Sequence, residues 1–152
     1  MKNGFTLIEL LIGLAITGLL IGFGASAYKQ AQIRQALYAD IETFTGVLQG
    51  AKKEAVIGDK DCTGPLVGVE VTFLANSTKI TTQAICQDTS GAIITTNLAV
   101  AEPSTSGSFR FLPLNGSTTL GSAGLSIVFT TASNLTSHIT ITQPGAITHV
   151  TP

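Results

Sequence analysis

The sequence predicts an α+β chain, in which a long N-terminal helix, membrane-spanning in its first half, packs on an antiparallel β-sheet head. Three observations carry this. An apolar run extends from Phe5 to Ala27 with one charge, Glu9, inside it. Apolar residues then recur at steps of three and four as far as Ala55. Beyond Gly58 the chain breaks into short Val-, Ile-, Thr- and Phe-rich segments bounded by Gly, Asn, Ser and Pro. The implied parts are 1–4, 5–27, 28–58 and a β-rich head at 59–152.

Residues 5–27 as a helix rise roughly 35 Å, against a hydrocarbon core of about 30 Å. A cleaved secretory signal competes with a retained anchor, because Ala25-Ser26-Ala27 matches the small-x-small cleavage pattern. Against it stand a run longer than the usual h-region of about 7–15 residues, a single preceding Lys2, and Glu9 within the run. A buried core helix is disfavoured by the nearly unbroken apolarity. A charge at the bilayer centre costs roughly 2.5–3.5 kcal/mol. Glu9 therefore calls for a partner, and nothing within its own segment is expected to offer one.

Lys2 precedes the run while Lys29 and Arg34 follow it, so charge placement leaves the orientation open. The two cysteines, Cys62 and Cys86, both lie in the polar half. In a small domain of an oxidising compartment such a pair reads as one disulfide, with two unpaired buried thiols as the alternative. The disulfide reading places the head outside the cytoplasm.

Lys2-Asn3-Gly4-Phe5-Thr6-Leu7-Ile8-Glu9-Leu10-Leu11 resembles the processing site of type IV pilins and of the pseudopilins of type II secretion. The resemblance covers about the first thirty residues; the rest is similar only in architecture. It implies that a prepilin peptidase/N-methyltransferase cuts between Gly4 and Phe5 and methylates the new amine of Phe5. It also implies storage in the inner membrane as a single-pass protein, then entry into an extracytoplasmic filament with like or related pilin subunits. Glu9 falls at the fifth mature position, where the family's glutamate is thought to meet the N-terminal amine of a neighbouring subunit. Such a pair would offset much of the burial cost and set the register of assembly. A glutamate snorkelling to the interface is the plain alternative.

Gly13, Gly18, Gly22 and Gly24 weaken the helix locally, each by about 1 kcal/mol relative to Ala. Gly18 and Gly22 form a small-xxx-small pair suited to close helix packing. Many pilins carry a proline near Ser26, and this chain has none. Further on, Ile33, Leu37, Ile41, Phe44, Leu48, Ala51 and Ala55 form the stripe expected to face a sheet. Lys29, Arg34, Asp40, Glu42, Lys52, Lys53 and Glu54 read as its solvated surroundings, and Gly58 as the C′ stop.

The expected strands are Leu66–Leu74, Lys79–Cys86, Ala92–Val100, Ser108–Leu114, Leu125–Thr130, Ser137–Thr142 and Ala146–Val150. Gln143-Pro144-Gly145-Ala146 predicts a hairpin turn between the last two, Asn115-Gly116 another turn, and Pro103–Gly107 a loop.

Function follows by exclusion as much as by motif. His138 and His149 stand outside any motif, no Gly-rich loop leads a strand into a helix, and no metal or cofactor is implied. The chain reads as a structural subunit and not an enzyme. Phe109–Gly116 and Ile139–Ala146 resemble, faintly, the heads of H-type pseudopilins and related minor pilins. In DNA-uptake members of that group arginines follow the terminal glycine, whereas here Ala146, Ile147 and Thr148 do. From Asp59 onward only Lys60, Lys79 and Arg110 are basic apart from histidine, so nucleic acid is not the expected partner. A pilus subunit, an H-type-like pseudopilin of type II secretion and an adhesive or DNA-capturing tip subunit remain the open alternatives.

Overall fold

A computed structural model describes residues 6–150, without the side chains of 23–26. The chain divides into two compact units, one ending at Gln35 and the other beginning at Ala36. This boundary falls eight residues beyond the end of the apolar run. A single helix, α1 (Leu7–Ile57), contributes to both.

From Leu7 to Gln35 the first unit is helix. Ten large apolar side chains between Leu7 and Ile21 each expose more than half of their surface. The best eighteen-residue window of α1 has a mean hydropathy of 2.2 with none of it buried, so the helix is long and apolar enough to cross a membrane. Its polar Thr17 is satisfied internally, donating its hydroxyl to Gly13 O at 2.7 Å.

In the second unit the expected stripe is the core face. Leu37, Ile41, Phe44, Leu48, Ala51 and Ala55 are all buried. The helix stops where Gly58 takes φ +76° and its N–H reaches Glu54 O at 2.9 Å.

The strands are β1 (Leu66–Phe73), β2 (Lys79–Cys86), β3 (Ile94–Asn97), β4 (Glu102–Pro103), β5 (Gly107–Phe111), β6 (Leu125–Thr130), β7 (Thr136–Ile141) and β8 (Ile147–Val150). All pairings are antiparallel. They form two four-stranded sheets, β3-β2-β1-β5 and β4-β6-β7-β8, where the sequence pattern suggested a plain succession in one. Pro103, expected in a loop, belongs to β4. The last hairpin is as expected, with Gly145 at φ +77° donating to Thr142 O.

Phe44 joins the layers. Its ring lies 6.3 Å from Phe73 on β1 and 4.9 Å from Phe129 on β6, both edge-on. One helical side chain thus touches both sheets.

Asp40 holds the crossing between them. It is not solvated, as its place in the sequence suggested, but 5% exposed. Its carboxylate accepts the amides of Ala99 (2.8 Å), Val100 (2.7 Å) and Ala101 (2.8 Å), the segment leading from β3 to β4. Lys52 departs from the solvated reading too. Its Nζ donates to Gly145 O at 2.8 Å, tying the helix to the β7–β8 turn.

The covalent tie is Cys62–Cys86, with Cα atoms 5.9 Å apart. It fastens the chain leaving the helix to the end of β2.

Asp40→Ala should lower unfolding stability by about 3 kcal/mol, since three amides, one buried and two half-buried, lose a charged acceptor. The exposed Thr43→Ala on the same helix should stay within about 1 kcal/mol. Denaturant titration in detergent checks both. Replacing Cys62 and Cys86 together by Ser should cost about 3–4 kcal/mol in the chain-entropy model of cross-links, measured the same way against the oxidised wild type.

Candidate functional site

The residues expected to act in processing and assembly fall at the N-terminal end of the sequence. Gly4 and Phe5 lie outside the described residues, so the geometry begins at Thr6. Thr6 and Glu9 form a reciprocal pair around the first helical turn. Thr6 N–H and its hydroxyl both donate to Glu9 Oε2 at 3.3 Å, and Glu9 N–H lies 3.4 Å from Thr6 Oγ1. Glu9 N–H also reaches Thr6 O at 3.1 Å.

This is a capping box. A Thr at the N-cap and a Glu three residues on satisfy donors that the first turn of any helix leaves without intrahelical partners. It corrects the expectation that Glu9 finds nothing in its own segment. The signal was present as Thr6-Leu7-Ile8-Glu9, immediately before an apolar run. The carboxylate also stands at the favourable end of the helix dipole.

Both donors converge on Oε2, and among the described residues no hydrogen bond is made to Oε1. Gly18 and Gly22 sit on the same helix, and a Cβ on either would meet nothing within 4 Å. Their surface is open for a neighbouring helix, although no contact within the chain uses it.

In the second unit the two cysteines are bonded to each other, so neither is a free thiol. Of the two histidines, His149 Nε2 lies 3.9 Å from Glu42 Oε1, and His138 is exposed on β7. Among the described residues no group of three or more His, Cys, Asp or Glu is placed to hold a metal.

Residues 1–25 match the family model of the prokaryotic N-terminal methylation motif. The chain carries the leader of type IV pilins and pseudopilins. That motif supports a pilin-like substrate of prepilin peptidase. It fits anchoring of the apolar helix in the inner membrane and later assembly with other pilin subunits. The match ends at residue 25, within α1, and leaves the head outside it. No curated protein and no solved structure matches the chain significantly.

The cap and the charge of Glu9 are separable by substitution, because Gln also closes a capping box while Ala does not. Amide exchange in micelles should show Thr6 N–H protected in Glu9→Gln but opened in Glu9→Ala, a loss of about 1 kcal/mol at the helix end. Equal protection in the two variants would remove the capping role.

Proposed function

We propose that this chain is a structural subunit of a type IV pilus-like filament, cut after Gly4 and assembled through its N-terminal helix. The observation that supports this most is continuity. The methylation motif at residues 1–25 runs into a helix whose large apolar side chains are exposed from Leu7 to Ile21. A helix of that kind needs lipid or other helices around it. A peptidase substrate stored in a membrane and transferred to a helical array meets both needs in succession.

In this reading Glu9 is the register device. The methylated amine of Phe5 of an incoming or resident subunit pairs with Glu9 of its neighbour. Gly18 and Gly22 then supply the flat surface along which helices approach. The head is displayed outside the cytoplasm, its loop after the helix held by the disulfide. An H-type-like pseudopilin of the type II secretion machine would use the same N-terminal chemistry, and the two differ in how far the filament grows.

The test is to shear the surface of native cells and determine intact mass and N-terminal sequence in the sheared and membrane fractions. A chain beginning at methylated Phe5 and abundant in sheared filaments supports the pilus subunit. The same processed chain retained almost wholly in the membrane points to a pseudopilin or a minor initiating subunit. A chain starting after Ala27 would mean a cleaved signal and end the proposal. Glu9→Gln, which preserves the cap, should be processed normally yet enter filaments at less than about a tenth of the wild-type level; normal entry would remove the register role.

A further inference from the structure

Strand β3 ends the first sheet, and nothing among the described residues pairs with its outer side. Of the other three sheet ends, those at β5 and β4 are treated differently, while β8 is a second short edge without the fastened ends and cleft of β3. Beside β5 lies the 117–119 segment, with Thr119 N–H bonded to Arg110 O and Leu112 N–H to Ser117 O. At β4 there are only two residues, Glu102 and a proline. By contrast, β3 sits in a run from Thr89 to Ala101 with no charge and no proline, and Ile93 and Ile94 are 63% and 58% exposed. Natural sheets commonly blunt such edges with charge, proline or bulges.

The edge is also pre-formed, because both of its ends are fastened. Before it, Asp61 Oδ2 accepts Ala92 N–H at 2.7 Å and Gln83 donates to Gly91 O. After it, Leu98 N–H bonds Thr78 O, and Asp40 takes the next three amides. Since Leu98 N–H points toward β2, alternation directs the N–H groups of Thr95 and Asn97 away from it, to the open side.

A cleft of about 240 Å³ adjoins this edge. Ile94 pairs with Thr82, in step with the buried Ile80, so Ile94 lies on the core-side face of the sheet. Ala84, Ala92 and Ile94 form the apolar part of the cleft, and Glu54, Asp59 and Asp61 bring carboxylates to it. The one cation there, Lys60, donates its Nζ to Gly64 O. A strand added to β3 would direct alternate side chains toward this cleft.

We propose that the β3 edge and its acidic cleft form a docking site for an extended segment of another polypeptide carrying a lysine or arginine. The segment pairs with the outward amides of Thr95 and Asn97 and places its cationic side chain among Glu54, Asp59 and Asp61. Main-chain pairing supplies affinity in such strand addition, and the side-chain pocket supplies selection. The four-residue edge is short, so binding is weak and falls with salt.

The probe is a blocked Thr-Val-Thr-Lys-Thr-Val-Thr peptide, titrated into the full-length ¹⁵N-labelled protein in micelles. Shifts of the Thr95 and Asn97 amides are expected, together with at least about a tenfold loss of affinity when the peptide lysine is replaced by glutamate. Thr95→Pro, which deletes an outward donor only, should abolish binding. Asp59→Lys, an exposed change that leaves the edge intact, should weaken the lysine peptide and favour the glutamate one. Equal binding of the two peptides, unchanged binding by Thr95→Pro, or no shift at millimolar peptide would each overturn the proposal. Self-association that Thr95→Pro removes, without peptide binding, would assign the edge to a second copy of the chain instead.

Discussion

The second unit is organised around a carboxylate that a helix has carried into the interior. Asp40 is flanked along α1 by Leu37, Ile41 and Phe44, all buried, so its charge cannot stay in water. Burying an ionised group unpaired is prohibitive. The three successive amides of Ala99, Val100 and Ala101 supply the required donors at 2.7–2.8 Å. That segment is where the chain leaves the first sheet for the second. Without an acceptor on the helix, those amides, half-buried at Ala99 and Val100 and buried at Ala101, would have no ladder to join. The constraint works both ways: the carboxylate needs the crossing, and the crossing needs the carboxylate.

Glu9 applies the same chemistry to a different end. It too uses a carboxylate to satisfy backbone N–H of its own chain, through Thr6. Asp40 spends both oxygens on amides and is enclosed, which makes it a structural anchor. Glu9 accepts the Thr6 bonds at Oε2 and remains exposed, as the proposed role in assembly requires. The difference lies in the surroundings, since one carboxylate sits under two sheets and the other on a bare helix. The methylation motif gives the exposed one its context.

Local patterns were legible where a single element sufficed. The stripe from Leu37 to Ala55, the Gly58 stop, β2, β6 and the β7–β8 hairpin follow from periodicity and turn residues alone. The division into two sheets did not follow, because alternation says that a segment is a strand but not which strand it joins. Strand β4 was hidden by its two-residue length and by Pro103. Asp40 and Lys52 were misplaced for a common reason: each is polar on a helix, and its partners lie 59–61 and 93 positions away. The cap at Thr6 is the opposite case. Its Thr-x-x-Glu spacing is local and legible, whereas a charge in an apolar run is equally compatible with a distant partner.

The bare edge of β3 can be weighed against the rest of the head by asking what it would cost to leave it unguarded. A long, flat, apolar edge invites uncontrolled pairing, and most folds suppress it. Here the exposed strand is four residues long and both its ends are bound to carboxylates, so few donors are offered and their positions do not shift. Such an edge is too short to hold an arbitrary strand by main-chain bonds alone. Selection then has to come from side chains, and the three carboxylates beside Ile94 discriminate by charge in a head that otherwise carries little of it. A short edge with an acidic pocket thus limits aggregation and favours cationic segments through the same geometry.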